Sequence, residues 1–411
     1  MINFRTHRLS NGLRLVHHYD ATTRMVAVNL LYDVGSSDEN PDKTGLAHLM
    51  EHLMFSGTKN VAKYDEKLQV AGGDSNAWTN IDITNYYDVL PAHNLETALW
   101  LESERLLNLN LTDENIEIQK NVVIEEFKQR YLNQPYGNIL HLTHGLAFEV
   151  HPYRWPTIGL DVETIRNFTK EDVVKFHRKH YAVNNIVMCL SGNVDFDTAV
   201  SLVEKWFGDI DPQDVPQRVL PVEPEQNKYR FLKYKCEVPN NMILRTYHMC
   251  GRKDKQYQAT DLLSDVLGNG MSSRFYEELI NGSDKFVDVD ASVLGSRDPG
   301  LFYVRARLAD GVSFEEADAL IDNVITKLYD GISDREVEKC VNKFISNMLF
   351  ENVGYAEKAV SLSSHELLWG ADKINTECDL YRALTPAHLL DVAAWIFRPE
   401  NCSTIYYGPD A

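Results

Sequence analysis

Two histidines, His48 and His52, stand four residues apart in the stretch GLAHLMEHLMFSGT at residues 45–58, with Glu51 between them. At about 100° per residue, positions i and i+4 share one face of a helix, so both imidazoles reach a single ion. Glu51 projects beside that pair, where a metal-bound water needs a neighbour to take its proton. The order His-x-x-Glu-His inverts the His-Glu-x-x-His signature of zinc hydrolases and points to the same chemistry on a peptide bond. Leu46, Leu49, Met50, Leu53, Met54 and Phe55 make the segment apolar nearly all round, which predicts a buried helix. Two imidazoles and a carboxylate on such a helix cost several kcal/mol in desolvation unless partnered, and a metal supplies the partner.

A catalytic zinc takes three protein ligands and a water. Downstream of the motif lie an acidic helical stretch, residues 113–132, and histidines at 141, 144 and 151. In the helix, Val122, Val123, Glu126 and Arg130 are spaced i, i+1, i+4 and i+8, which puts Glu126 on the apolar face. Glu117 and Glu125 fall toward the polar faces. Glu126 is the leading third ligand, with Glu125, His141 and His144 as its rivals.

Strand patterns precede the motif at Leu13–His18 and Met25–Tyr32, and another runs from Ile83 to Leu90, ending at Pro91. Helical periodicity covers 94–108, 113–132, 170–180 and 196–207, with a strand-like Asn185–Gly192 between the last two. Strands and helices mixed in this order indicate an α+β domain over an antiparallel or mixed sheet. A repeat follows. Leu46–Gly57 aligns with Ala259–Gly270, matching Leu49 with Leu262, Met50 with Leu263, Leu53 with Val266 and Gly57 with Gly270. The three chemical positions become Asp261, Ser264 and Asp265. The second half therefore reads as a copy whose metal site is lost. The organisation expected is a zinc-binding half over 1–210, a proline-rich linker over 211–230 and a degenerate half over 231–411.

At 411 residues and 44% hydrophobic, the chain can bury a large core and form two domains. A net charge of −19 argues against nucleic acid or an anionic membrane as partner. No apolar run reaches the ~18 residues of a membrane helix, and the opening MINFRTHRLSNGLRLVHHYD has no signal-peptide core. Six cysteines without a Cys-x-x-Cys pair suit reduced thiols, so a cytoplasmic location is expected.

NGLRLV, VGSSDE, LAHLMEHLMFSGT, GGDSNAWTNIDITNYYDVLP, NVVIEEFKQRYLNQPYG, HPYRWPTIG and LSGNVD together resemble the pitrilysin/insulinase family of zinc peptidases. In the second half LLSDVLGNGMSSRFYEEL and DPGLF continue the likeness. The resemblance implies a Zn²⁺ held by His48, His52 and Glu126, with Glu51 as general base. It implies two homologous α/β-sandwich halves, each a mostly antiparallel sheet with helices packed on one face, turned toward each other around a peptide chamber. Peptide substrates would add as a strand at Asn76 and Ala77. At this length the likeness is to the two-domain form, which works as a homodimer or as a heterodimer with a related chain. Two departures stand out. Where many active members carry an Arg and, seven residues later, a Tyr that reach the substrate carbonyl, this chain has Ile280 and Val287. Neither can stabilise an oxyanion, so a partner chain or another donor such as Lys285 or Arg274 would have to. Gln119 stands where a carboxylate is common, seven residues before Glu126.

Overall fold

Alternating and β-branched segments pair into two sheets in the computed structural model, which describes residues 1–411. The first sheet uses β1 (Arg5–Arg8), β2 (Arg14–Tyr19), β3 (Met25–Tyr32), β4 (Asp74–Thr79), β5 (Thr84–Pro91) and β6 (Ile186–Gly192). Their order is β1-β2-β6-β3-β5-β4. The second uses β7 (Arg230–Lys235), β8 (Met242–His248), β9 (Phe286–Val293), β10 (Leu301–Leu308) and β11 (Cys402–Gly408), ordered β7-β11-β8-β10-β9. One pair in each is parallel, β2 with β6 and β7 with β11, and the rest are antiparallel. With β1 set aside, the two sheets agree strand for strand in order and sense. The internal repeat is therefore a duplicated fold, and its class is α+β as expected.

In chain order the helices are α1 (Leu46–Met54), α2 (Tyr64–Val70), α3 (Leu95–Leu107), α4 (Asp113–Phe127) and α5 (Ile139–Ala147). Then follow α6 (Val162–Arg166), α7 (Lys170–His180), α8 (Phe196–Phe207), α9 (Tyr257–Gly268) and α10 (Phe314–Thr326). The last four are α11 (Asp334–Glu351), α12 (Tyr355–Leu368), α13 (Glu377–Arg382) and α14 (Pro386–Ile396). α1 follows β3 as α9 follows β8. No helix is long and apolar enough to cross a membrane.

The expectation of helices on one face of each sheet is corrected. α3 and α8 pack on one side of the first sheet, and α12 lies across β3, β6 and β2 on the other. There Val16, Ala27, Leu31, Val187 and Cys189 meet Ala359 and Leu362. In the second sheet α9 packs on β9, and α5 covers β7, β8 and β11. The central strands β3 and β6 of the first sheet and β8 and β11 of the second are buried on both faces, so each sheet needs a second cover. As a result the compact units cut across the sequence halves. One comprises residues 1–128, 155–220 and 348–376, the other 129–154, 221–347 and 377–411. The chain does pass from one unit to the other within the proline-rich stretch, between Leu220 and Pro221.

That stretch is pinned rather than loose. In the first unit Asn184 exchanges two hydrogen bonds with the Gln213 backbone, at 2.9 and 3.1 Å. Arg218 donates to Asp38, lies 3.3 Å from Asp33 and bonds the Asp82 carbonyl at 3.0 Å. In the second unit the Glu223 carboxylate accepts from the backbone N–H groups of Glu149, Val150 and His151. Arg218→Ala strands the buried Asp38 carboxylate. The expected cost is about 3 kcal/mol, read as a lower urea midpoint.

Candidate metal centre

α1 is fixed at its start by residues outside it. Its N-cap, Gly45, has φ +95° and no side chain to offer, so Glu39 caps from a distance. Glu39 Oε2 accepts from Gly45 N at 3.0 Å and Oε1 from Ala47 N at 2.7 Å. Burial pushes the Glu39 carboxyl well above the usual carboxylate range, while the two N–H groups favour its charged form. Gly45 also packs backbone to backbone. A Cβ there would sit 2.6 Å from the Ile158 carbonyl, in a left-handed conformation that L residues avoid. Gly45→Ala is expected to cost about 2 kcal/mol or more and to weaken zinc retention, since it shifts the helix that carries the histidines. Denaturant midpoint and zinc content after dialysis report the two effects.

Six of the nine residues of α1 are buried; His48, Glu51 and His52 form its half-exposed stripe. α4 packs against α1 and delivers Glu126 opposite the histidines. Glu126 Oε2 lies 3.8 Å from His48 Nε2 and 3.3 Å from His52 Nε2. One ligand atom from each of the three residues lies within 4.8 Å of the others. Tetrahedral zinc with bonds near 2.0–2.1 Å separates its ligand atoms by ~3.4 Å, so this spacing fits after small rotamer shifts. The donor set, two imidazole nitrogens and one carboxylate, is that of a hydrolytic zinc. Side-chain exposures of 13, 24 and 17% leave the cluster open on one side for a water.

The buried face of α4 differs from the expected one. Ile116, Lys120, Val123, Ile124 and Phe127 are buried, whereas Val122 is 45% exposed and Arg130 is exposed. Glu126 sits beside the buried stripe rather than within it, which is how it stays half-open. Its rivals are engaged elsewhere. Glu125 is exposed and pairs with Lys128 at 2.6 Å. His144, buried in the second unit, meets the Tyr153 carbonyl through Nδ1 at 2.6 Å and the Tyr303 hydroxyl through Nε2 at 3.0 Å. The His141 ring packs edge-on against Tyr131 at 4.9 Å.

Glu51 points the same way as the histidines, and Thr79 donates to its Oε2 at 2.5 Å. Thr79 ends β4, the edge strand of the first sheet. Asn76 and Ala77 lie on that edge; Asn76 is exposed and Ala77 half-buried. Below the C-terminal end of α1, the Arg105 guanidinium lies 5.2 Å from the Phe55 ring centroid and 4.4 Å from that of Tyr64. It is bound to Glu102, and Tyr64 donates to Asp88 at 3.0 Å. Burial beside Glu102 pushes the Asp88 carboxyl well up, so one guanidinium suffices for two carboxylates. Neither Glu39, Thr79 nor Arg218 stands out by spacing. VGSSDE contains Glu39, but its reach to α1 depends on the intervening turn.

In the second unit ordinary polar contacts stand where the metal ligands would be. Asp261, at the position of His48, accepts from the Tyr381 hydroxyl at 2.6 Å, and Asp265, at that of His52, lies 3.4 Å from Lys343. Ile280 packs on the core, and Val287 is the bulged residue of β9, since Arg307 pairs with Asp288 and Leu308 with Phe286. Arg274 is no substitute donor. It is held by Glu336 at 2.8 Å and by the carbonyls of Lys327 and Gly331 at 3.0 and 2.7 Å. Lys285 lies 3.2 Å from Glu316.

Residues 14–157 match the profile of the insulinase family, peptidase family M16, and residues 167–344 match the profile called peptidase M16 inactive domain. A protein of Helicobacter pylori named zinc protease PqqE is 31% identical over 353 residues, covering 83% of this chain and 79% of its own. A crystal structure of a protease from Helicobacter pylori, 27% identical, superposes with a TM-score of 0.93 over all of both chains. The periplasmic protease PqqL of Escherichia coli shares the fold, with a TM-score of 0.80 at 20% identity, and this chain covers 48% of that longer one. By its two matched profiles and its likeness to PqqE over most of both lengths, the chain belongs to the insulinase family of peptidases, M16.

Proposed function

We propose that the protein is a zinc-dependent endopeptidase acting on peptides or unstructured protein segments. The observation that carries this reading is the convergence of His48, His52 and Glu126 from two helices, with Glu51 beside them and outside the ligand set. A zinc ion bound there would polarise the scissile carbonyl and lower the pKa of a bound water from ~15.7 toward ~7. Glu51 takes the proton of the attacking water and returns it to the leaving amine. The β4 edge at Asn76 and Ala77 receives the substrate main chain, a sequence-tolerant mode. Residues 1–210 carry the chemistry, 231–411 form the non-catalytic half, and 211–230 join them. Six free thiols favour a cytoplasmic setting.

Partnership is part of the proposal. Ile280 and Val287 leave the second half without the oxyanion donors of many relatives, and neither Arg274 nor Lys285 is unengaged. The fold's recurrence as about half of a longer chain favours a dimer, homodimeric or with a related chain that brings those donors. The test is elemental analysis of purified protein combined with cleavage of a mixed unstructured peptide library. One zinc per chain with cleavage by a single polypeptide supports a self-sufficient enzyme. Zinc without cleavage, together with a stoichiometric second chain on copurification, supports the partner-dependent form. Protein that binds no zinc would overturn the proposal.

A further inference from the structure

Thr79 is a residue that zinc chemistry does not require, yet it donates a hydrogen bond to Glu51, Oγ1 to Oε2 at 2.5 Å. The backbone around it is unusually well held. In the turn that follows, the Asn80 side-chain oxygen accepts from Asp82 N at 2.8 Å and Ile83 N at 2.9 Å, and Asn80 N bonds Ile83 O. The loop before α1 docks on this turn: Ser36 N reaches Asn80 O at 3.1 Å and Ser37 N reaches Ile81 O at 2.8 Å. A Cβ on Gly35 would lie 2.5 Å from Asp82 N, so only glycine permits this approach. Arg218 closes the frame by bonding Asp38 and the Asp82 carbonyl together. Glu39 in the same loop caps α1. Thr79 and Glu51 are thus placed by one continuous scaffold.

A glutamate carboxylate turns about three bonds, and a general base must lie within hydrogen-bond reach of the proton it abstracts. A donor on Oε2 restrains that rotation. We propose that Thr79 is the positioning residue for the base, and that it links the base to the β4 edge where the peptide main chain would add. This rests on the peptidase reading above. A strand hydrogen-bonded along Asn76 and Ala77 restrains the end of β4, and Thr79 passes that restraint to the carboxylate.

The experiment compares wild type, Thr79→Val and Thr79→Ser for zinc content, thermal midpoint, kcat and KM on a fluorogenic unstructured peptide. Valine keeps the shape and removes the donor; serine keeps the donor. Thr79→Val is expected to hold one zinc and an unchanged midpoint while kcat falls about 10–100-fold at constant KM. Thr79→Ser is expected to recover most of that loss. A Thr79→Val enzyme with wild-type kcat, or one whose defect lies in KM alone, overturns the proposal. So does a serine variant as impaired as the valine one. If wild type turns nothing over, that outcome bears on the peptidase reading and its need for a partner, and crystal structures of the variants decide this one. A Glu51 carboxylate displaced in Thr79→Val and restored in Thr79→Ser supports it, and one unmoved in both refutes it.

Discussion

Glu51→Gln is expected to keep one zinc per chain and to lower kcat by about 10²–10⁴-fold. The reasoning is geometric. Glu51 lies outside the trio whose atoms converge within 4.8 Å, so the metal does not depend on it. Glutamine is nearly isosteric, and its amide oxygen can still accept from Thr79, so α1 and the β4 edge keep their places. What is lost is the capacity to take and return a proton. Zinc content by elemental analysis and single-turnover cleavage of a peptide separate the two properties. A zinc-loaded Glu51→Gln protein that cleaves at the wild-type rate would remove Glu51 from the mechanism and turn attention to another base.

His52→Phe is expected to abolish metal and activity together. His52 Nε2 is the nearer imidazole to Glu126, at 3.3 Å, and its loss leaves one imidazole and one carboxylate for the ion. A two-ligand site should retain zinc more than about 100-fold less tightly, more than the penalty typical of losing a supporting contact. The stability readout is independent of catalysis. Added zinc raises the melting midpoint of wild type by mass action on the native state, and it should not raise that of His52→Phe. His48→Phe should behave alike, because its Nε2 faces the same carboxylate at 3.8 Å. A His52→Phe protein that still purifies with stoichiometric zinc would refute the ligand assignment.

The local order of the chain was largely legible before folding. Met25–Tyr32, 170–180 and 196–207 are the observed bounds of β3, α7 and α8, because a β-rich apolar run marks the strand and regular helical spacing behind the caps Thr169 and Asp195 marks the helices. The stretch read as helical over 113–132 is an α-helix to Phe127 followed by a π-helical turn, a distinction that side-chain periodicity does not carry. The pairing of His48 and His52 follows from i, i+4 geometry on a helix whose other positions are apolar. The duplication was visible as the alignment of Leu46–Gly57 with Ala259–Gly270, and the matching strand orders of the two sheets express it in three dimensions.

Tertiary structure decided what joins those pieces. Spacing placed Glu126 on an apolar face with Val122, Val123 and Arg130, but packing buried Val123 together with Ile124 and Phe127, turned Val122 and Arg130 outward and left Glu126 at the margin. A helix offers several candidate faces, and only its neighbours select one. The histidines at 141 and 144 were credible ligands by type until folding surrounded them with tyrosines and a carbonyl. The exchange of α5 and α12 was invisible because the apolar surfaces they cover lie more than eighty residues away in the chain. The same holds for Glu39, Thr79 and Arg218. A helix-cap spacing or a metal motif repeats within a few residues and is written in the sequence, whereas a side chain that reaches a distant backbone depends on where the whole chain turns.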